Sequence, residues 1–474
     1  VCEGSELLER ARALLTEQPP REGEAPGEPA GRLGGSLALP GPPRKTRERL
    51  DKVQDAAATA AAFAQAEARL AGSRPDLVAP FKILEAVRAG VEESFAAALL
   101  KEQQVVVDCL ATRATQNKVR FFFATRETAK VPLPAGTEPA RIARAAVIGM
   151  GTMGSGIAQA ILMAGIPVAV WDESDAAIEK GTARIRASMQ KRVGQGRLDA
   201  ARAERMLGLL SATTGWEGIA SSDLVIEAVF EDAAVKRGVL RRLEDVCRAD
   251  AILATNTSTL SLDVLAEGMR RPERLLGLHF FSPAHAMPLV EVIRREGTDT
   301  RAVATALQFV KALRKTPVLV NNREGFLVNR LFVPYVKEAF RLLEEGADAA
   351  AVDAAMTEFG FPMGPLAVID AAGVDILVRS DAVLSRAFPY DGCVSPIAVR
   401  LVESGRLGQK TGSGVYRYER GDYTPRPCEE TGRLIADVQR EAGRTPRLMD
   451  KEEIEERLVM RLVNEAFRVM EEGI

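Results

Sequence analysis

Two histidines, His279 and His285, are the only imidazoles in a chain of 474 residues. His279 stands in Gly277-Leu278-His279-Phe280-Phe281, at the far end of an apolar stretch that reads as a strand. In open parallel sheets, that end of a strand is where ligands bind. A neutral imidazole there can take a proton from a substrate hydroxyl while hydride leaves the same carbon, because its ordinary pKa lies near neutral pH. Simple packing in the core is the plainer alternative. Glu291 lies inside Leu289-Val290-Glu291-Val292-Ile293. A strand buried on both faces has little reason to carry a carboxylate unless it has a partner. The expected partner is His279, whose other ring nitrogen needs an acceptor to fix its tautomer; a solvated edge-strand glutamate is the competing reading. Ser258, after Thr255-Asn256-Thr257 at another strand end, is placed to hydrogen-bond a substrate oxygen, although loop serines commonly serve as caps. Asn329 follows Gly325-Phe326-Leu327-Val328 at the start of a helical stretch, from which it either reaches an interdomain cleft or meets solvent. His285 reads as a residue of the site's rim.

A second constellation is Gly149-Met150-Gly151-Thr152-Met153-Gly154, set between the strand Ala145-Ala146-Val147-Ile148 and a helix. G-x-G-x-x-G alone is weak; the strand–turn–helix context makes it a dinucleotide signature. Gly149 permits the tight turn, Gly151 lets the backbone approach a pyrophosphate, and Gly154 lets the helix pack closely on the sheet. The helix N-terminus then faces the phosphates. Asp172 ends the next strand, Val168-Ala169-Val170-Trp171. A carboxylate there accepts from both ribose hydroxyls and repels a 2′-phosphate. No Arg or Lys immediately follows it (Glu173, Ser174, Asp175), so NAD is expected over NADP.

These residues need a frame to hold them. Strands at Asp223-Leu224-Val225-Ile226-Glu227, Ile252-Leu253-Ala254 and Leu275 to Phe281 follow the first two, with one long helical stretch read over Ile178 to Leu210. Strands alternating with helices predict a Rossmann-type α/β doubly wound parallel sheet, followed by an all-α domain and preceded by a helical linker region. The expected organisation is a helix over 1–20, a Pro/Gly-rich linker over 21–50, a helical linker region over 51–140, a dinucleotide-binding domain over 141–322, a helical domain over 323–420 and a second helical repeat over 421–474. The repeat rests on Arg330 to Gly346, whose pattern returns 127 positions later in Arg457 to Gly473. The second copy stops at Ile474, so the chain reads as cut short.

Composition closes off other functions. Lys plus Arg number 63 against 65 for Asp plus Glu, so no basic excess marks a nucleic-acid binder. No apolar run approaches the ~18–20 residues that a membrane helix needs, and the first residues carry no signal-peptide pattern. The five cysteines are scattered, which predicts neither a disulfide framework nor a metal site but reduced thiols, mostly buried. The expectation is a soluble cytoplasmic protein, or a peroxisomal one if the source is eukaryotic.

Together these segments resemble the L-3-hydroxyacyl-CoA dehydrogenase family. The pieces that carry the resemblance are Gly149 to Gly154, Asp223 to Glu231, Thr255-Asn256-Thr257-Ser258, His279-Phe280-Phe281-Ser282-Pro283, Gly325 to Arg330, Gly360 to Pro365 and Gly408 to Gly412. They run in order from about 144 to 420. The resemblance implies NAD-dependent oxidation of (S)-3-hydroxyacyl-CoA to 3-oxoacyl-CoA, with His279 as base, Glu291 as its orienting carboxylate, and Ser258 and Asn329 as substrate contacts. It implies cofactor contacts at Gly149, Gly151, Thr152, Met153, Gly154, Asp172, Glu231, Lys236 and Asn256, and an acyl-CoA as substrate. The finer resemblance is to the multifunctional β-oxidation enzymes, through Ser282-Pro283-Ala284-His285, the repeated helical unit, and Leu77 to Glu93 as their interdomain linker. Their hydratase core is missing, with residues 1–20 resembling only its last helix, so hydration and isomerisation are not expected. Two rivals remain: a 3-hydroxybutyryl-CoA dehydrogenase working reductively, and a non-catalytic fragment that binds acyl-CoA or a partner. Whether the chain forms a homodimer or joins other β-oxidation enzymes stays open.

Overall fold

The computed structural model describes residues 53–72, 77–128 and 130–474. The helix expected over 1–20 and the linker over 21–50 lie outside the described residues. The chain divides into two compact units, residues 1–124 and 125–474.

The first unit is helical, as its Ala-rich pattern predicts: α1 (Ala56–Leu70), α2 (Ala79–Glu92), α3 (Phe95–Ala111) and most of α4 (Arg113–Glu127). Asp55 starts α1 by accepting the amides of Ala57 and Ala58, and Ser94 starts α3 by accepting that of Ala97. Each hydroxyl or carboxylate satisfies an amide that the first helical turn leaves without a partner.

The second unit opens with an eight-stranded sheet in the order β3-β2-β1-β4-β5-β6-β7-β8. Its strands are β1 (Ala145–Ile148), β2 (Val168–Trp171), β3 (Leu210–Thr213), β4 (Leu224–Glu227), β5 (Ile252–Thr255), β6 (Leu275–Phe280), β7 (Leu289–Arg294) and β8 (Thr316–Asn321). Alternate residues serve opposite faces. Val147 packs in a core with Ile157 and Ile161 of α5 (Thr152–Met163), while Ala146 and Ile148 pack with Leu240 and Leu243 from the other side. Strand order reverses between β1 and β4, the crevice where doubly wound sheets bind ligands.

Several details differ from the sequence expectation. The stretch read as one helix is two, α6 (Asp175–Gly194) and α7 (Ala200–Leu207), broken where Gly196 turns with φ +67°. The edge strands β3 and β8 also escaped notice, β8 because it contains Pro317; a proline is tolerated there since an edge strand has one neighbour to bond. The sheet is not wholly parallel either: β7 runs antiparallel to β6, because the short segment 281–288 between them leaves no room for a crossover.

The remaining helices are α8 (Ala233–Val246), α9 (Leu262–Ala266) and α10 (Thr300–Ala312) around the sheet, then α11 (Val328–Glu345), α12 (Ala349–Phe359), α13 (Pro365–Ala372), α14 (Val374–Ala387), α15 (Pro396–Glu403), α16 (Glu429–Glu441) and α17 (Lys451–Glu471). The part after residue 323 is not purely helical: β9 (Arg417–Glu419) and β10 (Asp422–Arg426) form a small antiparallel pair. Its core gathers Val336, Phe340, Met356, Leu366, Leu377 and Leu458. The cysteines correct another expectation. Of the four described, only Cys247 is buried, and Cys393 is exposed. Among the described residues no helix is long and apolar enough to cross a membrane, and no group of acidic, His and Cys side chains could hold a metal.

Candidate active site

The glycine turn after β1 is built as its spacing predicts. Gly149 has φ +92°, and a Cβ there would lie 2.8 Å from the carbonyl oxygen of Ala228. A Cβ on Gly154 would lie 1.8 Å from the oxygen of Gly149, so any larger residue must push α5 off the turn. Gly151 is different: nothing stands within 4 Å of where its Cβ would be, which leaves open space over the turn. Gly151 is also the N-cap of α5 and provides no side-chain cap, so the amides that follow at Thr152 and Met153 get no hydrogen bond from it. Asp172, half-buried at the end of β2, accepts the amide of Met150 at 2.6 Å and that of Glu173 at 2.8 Å. Besides any ribose it meets, this carboxylate ties down the glycine turn itself.

His279 and Glu291 sit directly opposite each other across the β6–β7 ladder. The His279 Nδ1 lies 2.6 Å from Glu291 Oε2. Glu291 is fully buried, and its Oε1 accepts the amides of Leu327 and Val328, both at 2.9 Å. An ionised carboxylate can only accept, so this geometry puts the proton on Nδ1 and leaves Nε2 with a lone pair. His279 is 6% exposed, and its imidazole ring lies against Phe281, with ring centres 4.5 Å apart, and Phe326, at 6.0 Å.

Asn329 donates from Nδ2 to the carbonyl oxygen of Ser258 at 2.8 Å, which joins the two residues expected to touch substrate. Glu231 organises the same loop: its Oε1 accepts Thr257 Oγ1 at 2.6 Å, the Ser258 amide at 2.7 Å and Ser258 Oγ at 3.1 Å. Burial pushes the Glu231 pKa up, but Lys236 and the donors at Thr257 and Ser258 outweigh it and hold the group below the usual carboxylate range. The amide side chain of Asn256 accepts the Phe280 backbone N–H at 2.9 Å, bracing β5 against β6 beside His279.

Lys236, which the resemblance makes a cofactor contact, is held by two carboxylates. It is 1% exposed, and its ammonium is shared by Glu227 at 2.8 and 3.1 Å, Glu231 at 3.2 Å and the carbonyl of Val229 at 3.4 Å. Glu227, fully buried at the end of β4, requires this counter-charge, together with Thr255 Oγ1 at 2.7 Å. Lys236 therefore sits behind Glu231 and acts on it. Glu227, Thr257 and the Leu327 and Val328 amides are the parts of the site that sequence reasoning missed; Glu227 carried the same signal as Glu291, a carboxylate ending an apolar strand. His285 is half-buried in the 281–288 segment, where burial, Arg192 and Lys315 depress its pKa.

The sequence pattern described as "3-hydroxyacyl-CoA dehydrogenase, NAD binding domain" matches residues 144–323, and "3-hydroxyacyl-CoA dehydrogenase, C-terminal domain" matches 325–418. The chain belongs to the 3-hydroxyacyl-CoA dehydrogenase family. A crystal structure of (S)-3-hydroxybutyryl-CoA dehydrogenase PaaH1 from Ralstonia eutropha is 36% identical, covers 59% of this chain and 100% of that one, and superposes with a TM-score of 0.57. The dehydrogenase part of multifunctional enzyme 1 from C. elegans is 29% identical over 74% of this chain and 81% of its own, with a TM-score of 0.54. The glyoxysomal fatty acid beta-oxidation multifunctional protein MFP-a of Brassica napus is 35% identical over 406 residues, 84% of this chain and 56% of that protein. The chain thus spans a little over half the length of the curated relatives it matches.

The two domains of this dehydrogenase family meet at the turn Gly325-Phe326, where φ is +76° and +52°. The amides that this turn delivers, from Leu327 and Val328, are the ones bound to Glu291. The residues present fit NAD: open space at Gly151, an uncapped helix start and a carboxylate at the end of β2.

Proposed function

We propose that this chain oxidises (S)-3-hydroxyacyl-CoA to 3-oxoacyl-CoA with NAD. The observation that carries the reading is the His279–Glu291 pair, which leaves Nε2 as a free base at the strand end beside Ser258 and Asn329. NAD, when bound along the glycine turn, supplies the hydride acceptor. His279 Nε2 takes the proton of the C3 hydroxyl, and Glu291 steadies the imidazolium that forms. The Ser258 hydroxyl and the Asn329 amide hold the hydroxyl and thioester oxygens, which aligns C3 for transfer. Asp172 binds the adenosine ribose and disfavours a 2′-phosphate, while Glu231 fixes the loop that carries Ser258. The names of the relatives support a place in fatty-acid β-oxidation.

The test is NADH formation by the purified chain with (S)-3-hydroxybutyryl-CoA and a longer 3-hydroxyacyl-CoA, with crotonyl-CoA hydration assayed in parallel. NADH should appear without hydration, and His279→Ala should lower turnover at least ~10²-fold, the share of a positioned base. Near-normal turnover in that variant removes the mechanism.

A further inference from the structure

Helix α17 repeats α11 in charge as well as in pattern: Arg457, Glu465 and Glu472 stand 127 positions after Arg330, Glu338 and Glu345. The two helices pack together and exchange these charges. Arg330 pairs with Glu465 and Glu472, while Arg457 pairs with Glu338 and Glu345. A residue on each surface meeting its partner's equivalent is what a two-fold axis produces between subunits; here it lies within one chain.

The two halves of this internal dyad are not equal. Arg457 is 26% exposed and serves the later turns of α11. Arg330 is 1% exposed and Glu465 fully buried, and the Arg330 guanidinium also lies over the Phe388 ring at 3.6 Å. This buried half falls on the first turn of α11. There, four successive residues reach out: the amides of Leu327 and Val328 to Glu291, Asn329 to Ser258, and Arg330 to α17. Beyond the backbone bonds from the Arg330 amide to the Gly325 carbonyl and from the Leu331 amide to that of Leu327, that turn has little of its own to hold it. Leu327 provides no side-chain cap, and Pro334 has no N–H to offer the Arg330 carbonyl. The chain also enters through Phe326 in the left-handed region, a strained state that persists only where its surroundings enforce it. Asn321 at the end of β8 donates to the Gly473 carbonyl at 2.6 Å, so the end of α17 is anchored beside the same turn.

We propose that α17 is a positioning element for the oxidation assigned above, with Glu465 acting through Arg330 to hold the first turn of α11 against Glu291 and Ser258. The proposal rests on that functional reading. Glu465 touches no reacting group; it is a positioning residue.

The internal dyad supplies its own control. Glu465→Gln should lower kcat about ten- to a hundred-fold, the cost of a misplacement on the order of 1 Å. NADH affinity should hold, the acid limb of the kcat/KM profile should move as the grip of Glu291 on His279 changes, and hydrogen exchange at the Leu327 and Val328 amides should quicken. Arg457→Met removes the mirror contact and should lower the melting temperature while leaving kcat and those two amides unchanged. Glu472→Gln weakens the same clamp from its more exposed arm and should show the same changes in smaller degree, which decides the matter if Glu465→Gln does not fold. Normal kcat together with unchanged exchange in a folded Glu465 or Glu472 variant overturns the proposal. If the unaltered chain makes no NADH, the functional reading fails by itself, and the exchange comparison still reports on the clamp.

Discussion

Glu291 has both oxygens committed, one to His279 and the other to two amides at the head of α11. Glu291→Gln therefore does something specific. Its amide oxygen can keep accepting from Leu327 and Val328, but its NH₂ then faces His279 Nδ1 and donates to it, which moves the imidazole proton to Nε2. A base with its lone pair occupied cannot take the substrate proton. The expected result is a kcat loss of ~10²–10⁴-fold with little change in melting temperature, read by steady-state kinetics beside a thermal melt; a kcat near normal would show that the tautomer does not matter. Asp172 is the other residue whose double duty shapes a prediction. Asp172→Gly should weaken NAD more than NADP, since the carboxylate both favours the ribose hydroxyls and repels a phosphate. Because Asp172 also holds the Met150 amide, both cofactors should lose some affinity. Equal weakening in titrations with the two reduced cofactors would sink the ribose assignment.

At the scale of elements, the closest approach in the site is between α5 and the glycine turn. Gly154→Ala would place a methyl group 1.8 Å from the Gly149 oxygen, a backbone atom that cannot swing aside. The helix must shift, so NADH affinity should drop at least tenfold, with ~1–3 kcal/mol lost in stability as an overpacking cost. Fluorescence titration and a melt would check both, and unaltered affinity would mean that the turn does not seat the cofactor. This part of the fold was legible in the sequence because glycines at fixed intervals have a steric cause that sequence displays directly. The four apolar residues of β1 and the buried carboxylate of β7 were legible for similar reasons. What stayed hidden depended on neighbours. Leu210-Ser211-Ala212-Thr213 becomes β3 only because β2 lies beside it, and Pro317 masks β8 unless its edge position is known. Lys236 reads as any surface lysine until Glu227 is seen to be buried beneath it.

At the scale of the whole second unit, stability carries a pH signature from Asp370. This side chain, fully buried at the end of α13, accepts the amides of Val415 and Tyr416 and the hydroxyl of Tyr418. Burial pushes its pKa up to about 6, against hydrogen bonds from Tyr416, Val415 and Tyr418 that pull it down. Between the unfolded value of 3.8 and about 6 the folded chain holds this proton more tightly than the unfolded chain does. Its contribution to stability is therefore fully present at acid pH and is lost as pH rises through that window, by roughly 3 kcal/mol in all. Asp370→Asn cannot titrate, and its NH₂ would face donors. It should be less stable than the parent at pH 5, with the gap narrowing by pH 7; denaturant melts at both pH values would show a constant gap if Asp370 ionises normally.

The pairing of α11 with α17 has a consequence in time as well as in space. Arg330 and Glu465 are 135 residues apart in the chain. During synthesis at ~5–20 residues per second, α11 waits on the order of ten seconds for its mate to be made. Through that interval Arg330 has no buried carboxylate to meet, and the last clamp on the Glu291 end of α11 can close only when nearly all of residues 1–474 have left the ribosome. The catalytic geometry should therefore be completed well after the sheet that carries His279 has been synthesised.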